Sequence, residues 1–316
     1  MILQARGIRA EWEPAVGHLP VLEIAGVQVL WSAPWRDDPS VQADATLHPV
    51  DRLLGGTFTC APFGRDDVDC GPPHGLAANA PWHRLRAAPG ALVACRRLSR
   101  GAITARIVLR DDHPVLYQTH LLDLDAPSTF AHHPILAAHG GGTVRSGADH
   151  LLTFAAEAPF LPQDTHLSPL VDVPTTAHED FATLVGGPAL GWTAVERHAE
   201  GDTILTLRKT RQLPVTNLWF SNGARGSMWA LARGLICVED AICAGAEGFA
   251  AALGRSRVGA AGVPTVLRRG RHVIPHALLR LDGCHTVEGV TLAPGCLGVQ
   301  TARGLLKVPF DESHFA

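Results

Sequence analysis

Charge is scarce in this chain. Asp, Glu, Lys and Arg make up 18% of its 316 residues against 46% hydrophobic residues, which excludes a self-solvating disordered chain and fits a soluble globular one. The net charge is only −3, and no block of basic residues occurs. The densest basic spot, Arg268, Arg269 and Arg271 around a glycine, reads as a solvated turn, so the electrostatic footprint of a nucleic-acid binder is missing. Long apolar runs are also missing, which argues against a membrane span. Arg6, Arg9, Glu11 and Glu13 precede any apolar stretch, so no secretion signal is recognised and a cytoplasmic location is expected.

The cysteines lack a pattern. Seven of them at irregular spacings favour reduced thiols over a disulfide framework, and no CxxC pair suggests structural zinc. Cys237 and Cys243 flank an apolar stretch and read as small core residues. His132, His133 and His139 match no standard metal spacing, so no metal is expected. Ser146 and Ser227 lack the context of a nucleophile elbow.

Helical signals are few. Ala244–Leu253 is the best candidate, and a short turn is expected at Ser168 or over His178–Leu184. Strand signals run nearly the whole length: Val21–Trp31, a hairpin of Ile103–Leu109 with Val115–Leu121, then Trp192–His198, Thr203–Arg208, Val215–Phe220, Leu235–Glu239, His272–Leu279 and Leu297–Thr301. All are short and bounded by turn residues. With 23 Pro and 32 Gly spread evenly, neither a linker nor an internal repeat stands out. The expectation is all-β: one large antiparallel two-sheet sandwich over residues 1–316. The final segment, Lys307–Ala316, is either a docked strand or a loose tail.

One elbow concentrates polar chemistry. Cys60-Ala-Pro-Phe-Gly-Arg65 is followed by Gly71-Pro-Pro-His-Gly-Leu-Ala-Ala-Asn-Ala-Pro-Trp82; its prolines and glycines exclude a helix or central strand and predict a surface loop, where function usually sits. Downstream come Phe130-Ala-His-His-Pro-Ile-Leu136 and Ile236-Cys-Val-Glu-Asp240. In this order, over residues 20 to 245, the three elements resemble the His-Gly, His-Pro and Glu motifs of the aldose 1-epimerase (galactose mutarotase) superfamily. Ile135 stands where the family has an aromatic residue, and Asp240 where it has proline.

The resemblance implies a supersandwich that interconverts the α and β anomers of a sugar by ring opening and reclosure, with neither cofactor nor metal. It gives His133, with His132 as the competing choice, the role of general acid on the ring oxygen. Glu239 takes the role of base on the anomeric hydroxyl, and His74 that of orienting the ring oxygen. Imidazole suits proton transfer near neutrality. Arg65 is placed to hydrogen-bond sugar hydroxyls, and Trp82 offers a flat apolar face. Asn222 is either a sugar contact or part of a plain Ser-Asn-Gly turn. Arg65, Arg84 and Arg225 either form a phosphate pocket for a sugar phosphate or are surface residues with ion-pair partners.

Blander readings stand beside these. His74 can be a loop residue, His133 a satisfied core histidine, and Glu239 a solvent-facing strand residue. Its position after Leu-Ile-Cys-Val is nonetheless an odd one for a carboxylate, because burying it unpaired costs several kcal/mol. The second functional class is a carbohydrate-binding or sugar-sensing protein on the same fold, without an acid/base pair. Monomer and homodimer both stay open.

Overall fold

A computed structural model describes residues 1–154, 171–173 and 175–316; Ser168 lies outside them. Period-two alternation dominates, and it builds two large antiparallel sheets. The first runs in the order β1 (Ile2–Ala5), β2 (Ile8–Glu13), β3 (His18–Ile24), β5 (Thr57–Cys60), β10 (Phe130–Ala137), β18 (Leu235–Ile242), β17 (Val215–Ser221), β14 (Glu179–Val185), β12 (His150–Thr153), with β4 (Val27–Gln28) beside β3. The second runs β13 (Val171–Val173), β11 (Gly142–Ser146), β15 (Leu190–Arg197), β16 (Asp202–Lys209), β19 (Gly270–Asp282), β9 (Val115–Leu124), β8 (Gly101–Val108), β7 (Ala91–Leu98), β6 (His83–Ala88). Strands β20 (Val287–Ala293), β21 (Cys296–Thr301) and β22 (Gly304–Pro309) form a small third sheet.

The main core lies between the large sheets. Leu136, Leu218, Ile236 and Val238 from the first face Ile103, Leu122, Ile274 and Leu278 from the second. Removing such side chains from water stabilises the fold by about 1.5–3 kcal/mol each. The alternate residues point the other way. In the second sheet they are Val115, Tyr117, Leu205, Leu207, Ala277 and Leu279, which pack under the third sheet together with Phe310 and Phe315. The chain end is therefore docked: the Asp311 amide donates to Tyr117 Oη at 2.9 Å. In the first sheet the outward residues, including Ile135, Leu235 and Cys237, are covered by loops and short helices carrying Trp31, Trp35, Val50 and Leu54. Both faces of β10 and β18 are thus covered, and β18 is buried at every position.

The expected hairpin forms as β8 and β9, in register from Gly101↔Leu124 to Val108↔Tyr117. Three local expectations are corrected. The elbow, expected as a surface loop without a helix, carries a short helix, Gly75–Asn79, whose Gly75, Ala77, Ala78 and Asn79 are buried. His178–Leu184 is no turn, because β14 pairs along its length with β17 and also with β12, and ladder bonds outweigh its local turn preference. The helix expected over Ala244–Leu253 is broken into a 3₁₀ turn, Gly245–Glu247, and a short helix, Phe249–Leu253. The break falls at Gly248, whose φ of 93° takes the backbone out of the helical region.

Candidate functional site

The elbow after β5 folds back on itself. Ala61 N donates to His74 O at 3.2 Å, and His74 N donates to Gly64 O at 2.8 Å. The return depends on Gly75, with φ 67°; a Cβ there would stand 2.0 Å from the Ala61 carbonyl oxygen, so only glycine lets the two segments approach this closely. The fold-back presents the His74 ring edge-on to His133, with centroids 5.1 Å apart, beside Phe58 and Phe63. Burial, reinforced by His133 and His18, holds the His74 imidazole well below its ordinary pKa. The ring is neutral at neutral pH, and its Nδ1 accepts from the Gly64 amide at 3.4 Å. His74 is therefore built to offer a hydrogen bond through Nε2 rather than to supply a proton.

Strand register brings the next two groups together. Ala131 pairs with Ala241 and Ile135 with Cys237, which sets His133 opposite Glu239 on the outward face of the sheet. His133 Nε2 and Glu239 Oε1 are 2.9 Å apart, and their side chains are only 4% and 2% exposed. The carboxylate is thus neither solvent-facing nor unpaired. His133 is stacked on Phe58 at 4.4 Å, and Phe58 in turn on His18 at 4.4 Å, which fixes the imidazole plane. Nδ1 of His133 and Oε2 of Glu239 have no hydrogen-bond partner among the described residues. Buried polar atoms normally have one, so both are available to a guest or to water.

These groups open into a cavity of about 620 Å³ whose lining includes Phe58, Phe63, Arg65, His74, His133, Phe181, Trp219, Arg225, Trp229 and Glu239. Apolar walls with a few converging polar groups are the usual make-up of a small-molecule site. Trp219 and Trp229 supply flat walls: the Trp219 indole N–H donates to Glu179, and Trp229 meets it edge-on at 6.0 Å. Arg225 lies over both indoles, 5.4 and 5.3 Å from the ring centroids, and pairs with Glu179 at 2.8 Å. Arg65 is at the mouth, 72% exposed and 3.2 Å from Asp67.

Four expected contacts lie elsewhere. Trp82 is a core residue whose indole donates to Ala77 O and packs against Gly17, so its face is not available to a sugar. His132 follows strand alternation into the sandwich and stacks on His276 at 4.0 Å, which leaves His133 as the member of the His132-His133 pair that lines the cavity. Asn222 ties its turn together by donating to Thr176 O and accepting from Gly234 N. Arg84 sits on the exposed edge strand β6, away from Arg65 and Arg225, so no three-arginine pocket forms.

Trp219, Trp229 and Phe58 went unrecognised in the sequence. A signal existed for one of them: Trp219 is two residues from Asn217, which pairs with Glu239 across β17 and β18, so alternation puts Trp219 on the Glu239 face. Cys237, two residues from Glu239 on the same strand, also faces this way. A ring nitrogen of His133, the Cys237 sulfur and a Glu239 oxygen lie within 4.8 Å of one another.

No family model matches the sequence, and no curated protein matches it. Solved structures do. A protein from Escherichia coli K12 described as a "putative aldose 1-epimerase" superposes with a TM-score of 0.64 at 14% identity, over 89% of this chain and 98% of its own. A galactose mutarotase related enzyme from Lactobacillus acidophilus gives 0.60 at 9% identity, over 90% and 98%. A galactose mutarotase-like protein from Clostridium acetobutylicum gives 0.57 at 11%, over 89% and 94%. No helix among the described residues is long and apolar enough to cross a membrane.

Proposed function

Since the chain has the fold of galactose mutarotase-like proteins, we propose that it is an aldose 1-epimerase, interconverting sugar anomers with His133 and Glu239 as its acid/base pair. The observation that carries this reading is the buried contact between these two groups at the wall of a cavity large enough for a monosaccharide. Glu239 takes the proton of the anomeric hydroxyl while His133 Nε2–H protonates the ring oxygen, so the C1–O5 bond breaks and the aldehyde forms. Rotation about C1–C2 and reclosure with the proton roles reversed gives the other anomer. His74 holds the ring oxygen region through a neutral N–H, and Trp219 replaces Trp82 as the apolar platform. Arg65 and Arg225 at the same cavity suit an electron-rich sugar, free or phosphorylated.

The 2.9 Å contact also supports a second reading. Acid and base are closed on each other rather than one sugar ring apart, as they would be in a protein that only binds carbohydrate beside a structural ion pair. A sugar entering the catalytic site must part them, exchanging their mutual hydrogen bond for one from each to the substrate. Saturation-transfer NMR of anomeric exchange, over a panel of free and 6-phosphorylated aldoses with wild type and Glu239→Gln, separates the two. Exchange accelerated by wild type alone supports the epimerase; binding shifts without acceleration support the binding protein.

A further inference from the structure

Beside His133 and Glu239, the proposed acid/base pair, lies a third donor that the sugar chemistry does not use, the buried Cys237 thiol. Cys237 and Glu239 alternate on β18 and so share its outward face, and His133 comes from the adjoining β10. The His133 nitrogen, Cys237 sulfur and Glu239 oxygen lie within 4.8 Å of one another, and all three residues are buried. Glu239 Oε2 has no hydrogen-bond partner among the described residues, so the carboxylate has a lone-pair site left to give.

We propose that His133, Cys237 and Glu239 form a binding site for a thiophilic divalent cation of the Zn²⁺ class. One nitrogen, one sulfur and one oxygen donor match a borderline-soft ion, whereas Mg²⁺ and Ca²⁺ require six or more oxygens. Ligands about 2.0–2.3 Å from a tetrahedral ion stand roughly 3.3–3.8 Å apart, so rotamer changes on a fixed strand frame close the set. Three protein donors leave the fourth position to water, on the cavity side. The ion takes an unprotonated imidazole nitrogen and the carboxylate in place of their mutual hydrogen bond, the neutral imidazole keeping its one proton on the other ring nitrogen, and the thiol proton passes to buffer. Ion and sugar therefore exclude each other, because they compete for the same two groups. The spacing of the histidines in sequence gave no hint of this site, since its ligands come from strands a hundred residues apart that only the sheet brings together. The inference stands on donor geometry and does not depend on the epimerase reading.

Co²⁺ titration of the metal-stripped full chain tests it without any activity measurement. Wild type is expected to bind one equivalent with a near-ultraviolet thiolate-to-Co²⁺ charge-transfer band and the intense visible bands of a tetrahedral ion. Zn²⁺ should displace both. Cys237→Ala should abolish the charge-transfer band, and Glu239→Gln should keep it while weakening binding at least about tenfold. Cys60→Ala and Cys70→Ala should leave the band in place. Absence of the band in wild type, or its persistence in Cys237→Ala, overturns the proposal. If circular dichroism shows Cys237→Ala to be unfolded, His133→Gln takes its place: binding weakened at least tenfold supports the site, and unchanged binding overturns it.

Discussion

His133 and Glu239 meet at 2.9 Å on the outward face of the first sheet, while the residue next to each, His132 and Asp240, turns inward and meets His276. One period-two alternation on two adjoining strands thus makes both the cavity's His–Glu pair and the polar layer behind it. The inner layer is ion-paired to the second sheet. Asp240 lies 3.1 Å from Arg208 and 3.0 Å from His276, and it accepts from Thr216. Burial pushes the Asp240 carboxyl upward, but Arg208, His276 and Thr216 together outweigh it and hold the group below its ordinary value. The backbone that carries Glu239 is therefore anchored from behind.

Removing either outward group should stop proton transfer without unfolding the protein. His133→Ala and Glu239→Gln are each expected to slow anomeric exchange about 10²–10⁴-fold. The double variant should be little slower than the worse single one, because the groups act as a unit. Exchange rates by NMR, with circular dichroism to verify folding, check this. Strictly multiplicative losses would show that the pair does not act together.

Asp240→Asn should be far more damaging to stability than to chemistry. It leaves the fully buried Arg208 guanidinium without its counter-charge, and breaking a buried pair from one side costs about 3–5 kcal/mol. Urea denaturation should register a loss of that order. Replacing Asp240 and Arg208 together by apolar residues should recover part of it, since no buried charge is then orphaned.

The strands were legible because their alternation and turn residues are local signals; β8 and β9 are one example, with the turn fixed by Asp111-Asp-His-Pro114. That His74, His133 and Glu239 share one cavity matches the grouping expected from the order of their three motifs in the chain. The choice between His132 and His133 was not legible, because both faces of β10 are buried and the usual polar-out mark of a strand's solvent side is absent. Trp82 misled for a related reason: it lies in the polar elbow, yet the sheet below claims its ring. Glu179 was masked by its turn-like neighbourhood, and its partnership with Arg225 and Trp219 exists only through the pairing of β14 with β17.

The two tryptophans should separate binding from folding. Trp219→Ala removes one of the cavity's two indole walls and should weaken sugar affinity; stacking of this kind is worth about 0.5–1.5 kcal/mol beyond burial, so a loss of roughly two- to thirteenfold is expected. Trp82→Ala empties a core position and should cost about 3–5 kcal/mol of stability. Titration by NMR and urea denaturation of both variants read the two effects. Equal affinity losses from both would mean that the wall is not Trp219.

The buried histidines make stability depend on pH in a defined direction. Burial lowers His120 to about 3, and it holds His132 well below its ordinary value, with His276, His120 and His314 adding to the effect. Unfolded, each titrates at about 6.5. Between these values the unfolded chain binds more protons than the folded one, so stability rises with pH across the window. The contribution is complete above about pH 6.5 and is lost as pH falls, by about 1.4 kcal/mol per unit for each histidine. Asp240 changes stability only lower down, as protonation reaches the carboxylates, so the slope between about pH 6.5 and 5 reports imidazoles. Urea midpoints over that range should show it, and His120→Gln should flatten the slope by one histidine's share. An unchanged slope in that variant would mean that His120 is already protonated in the folded sandwich.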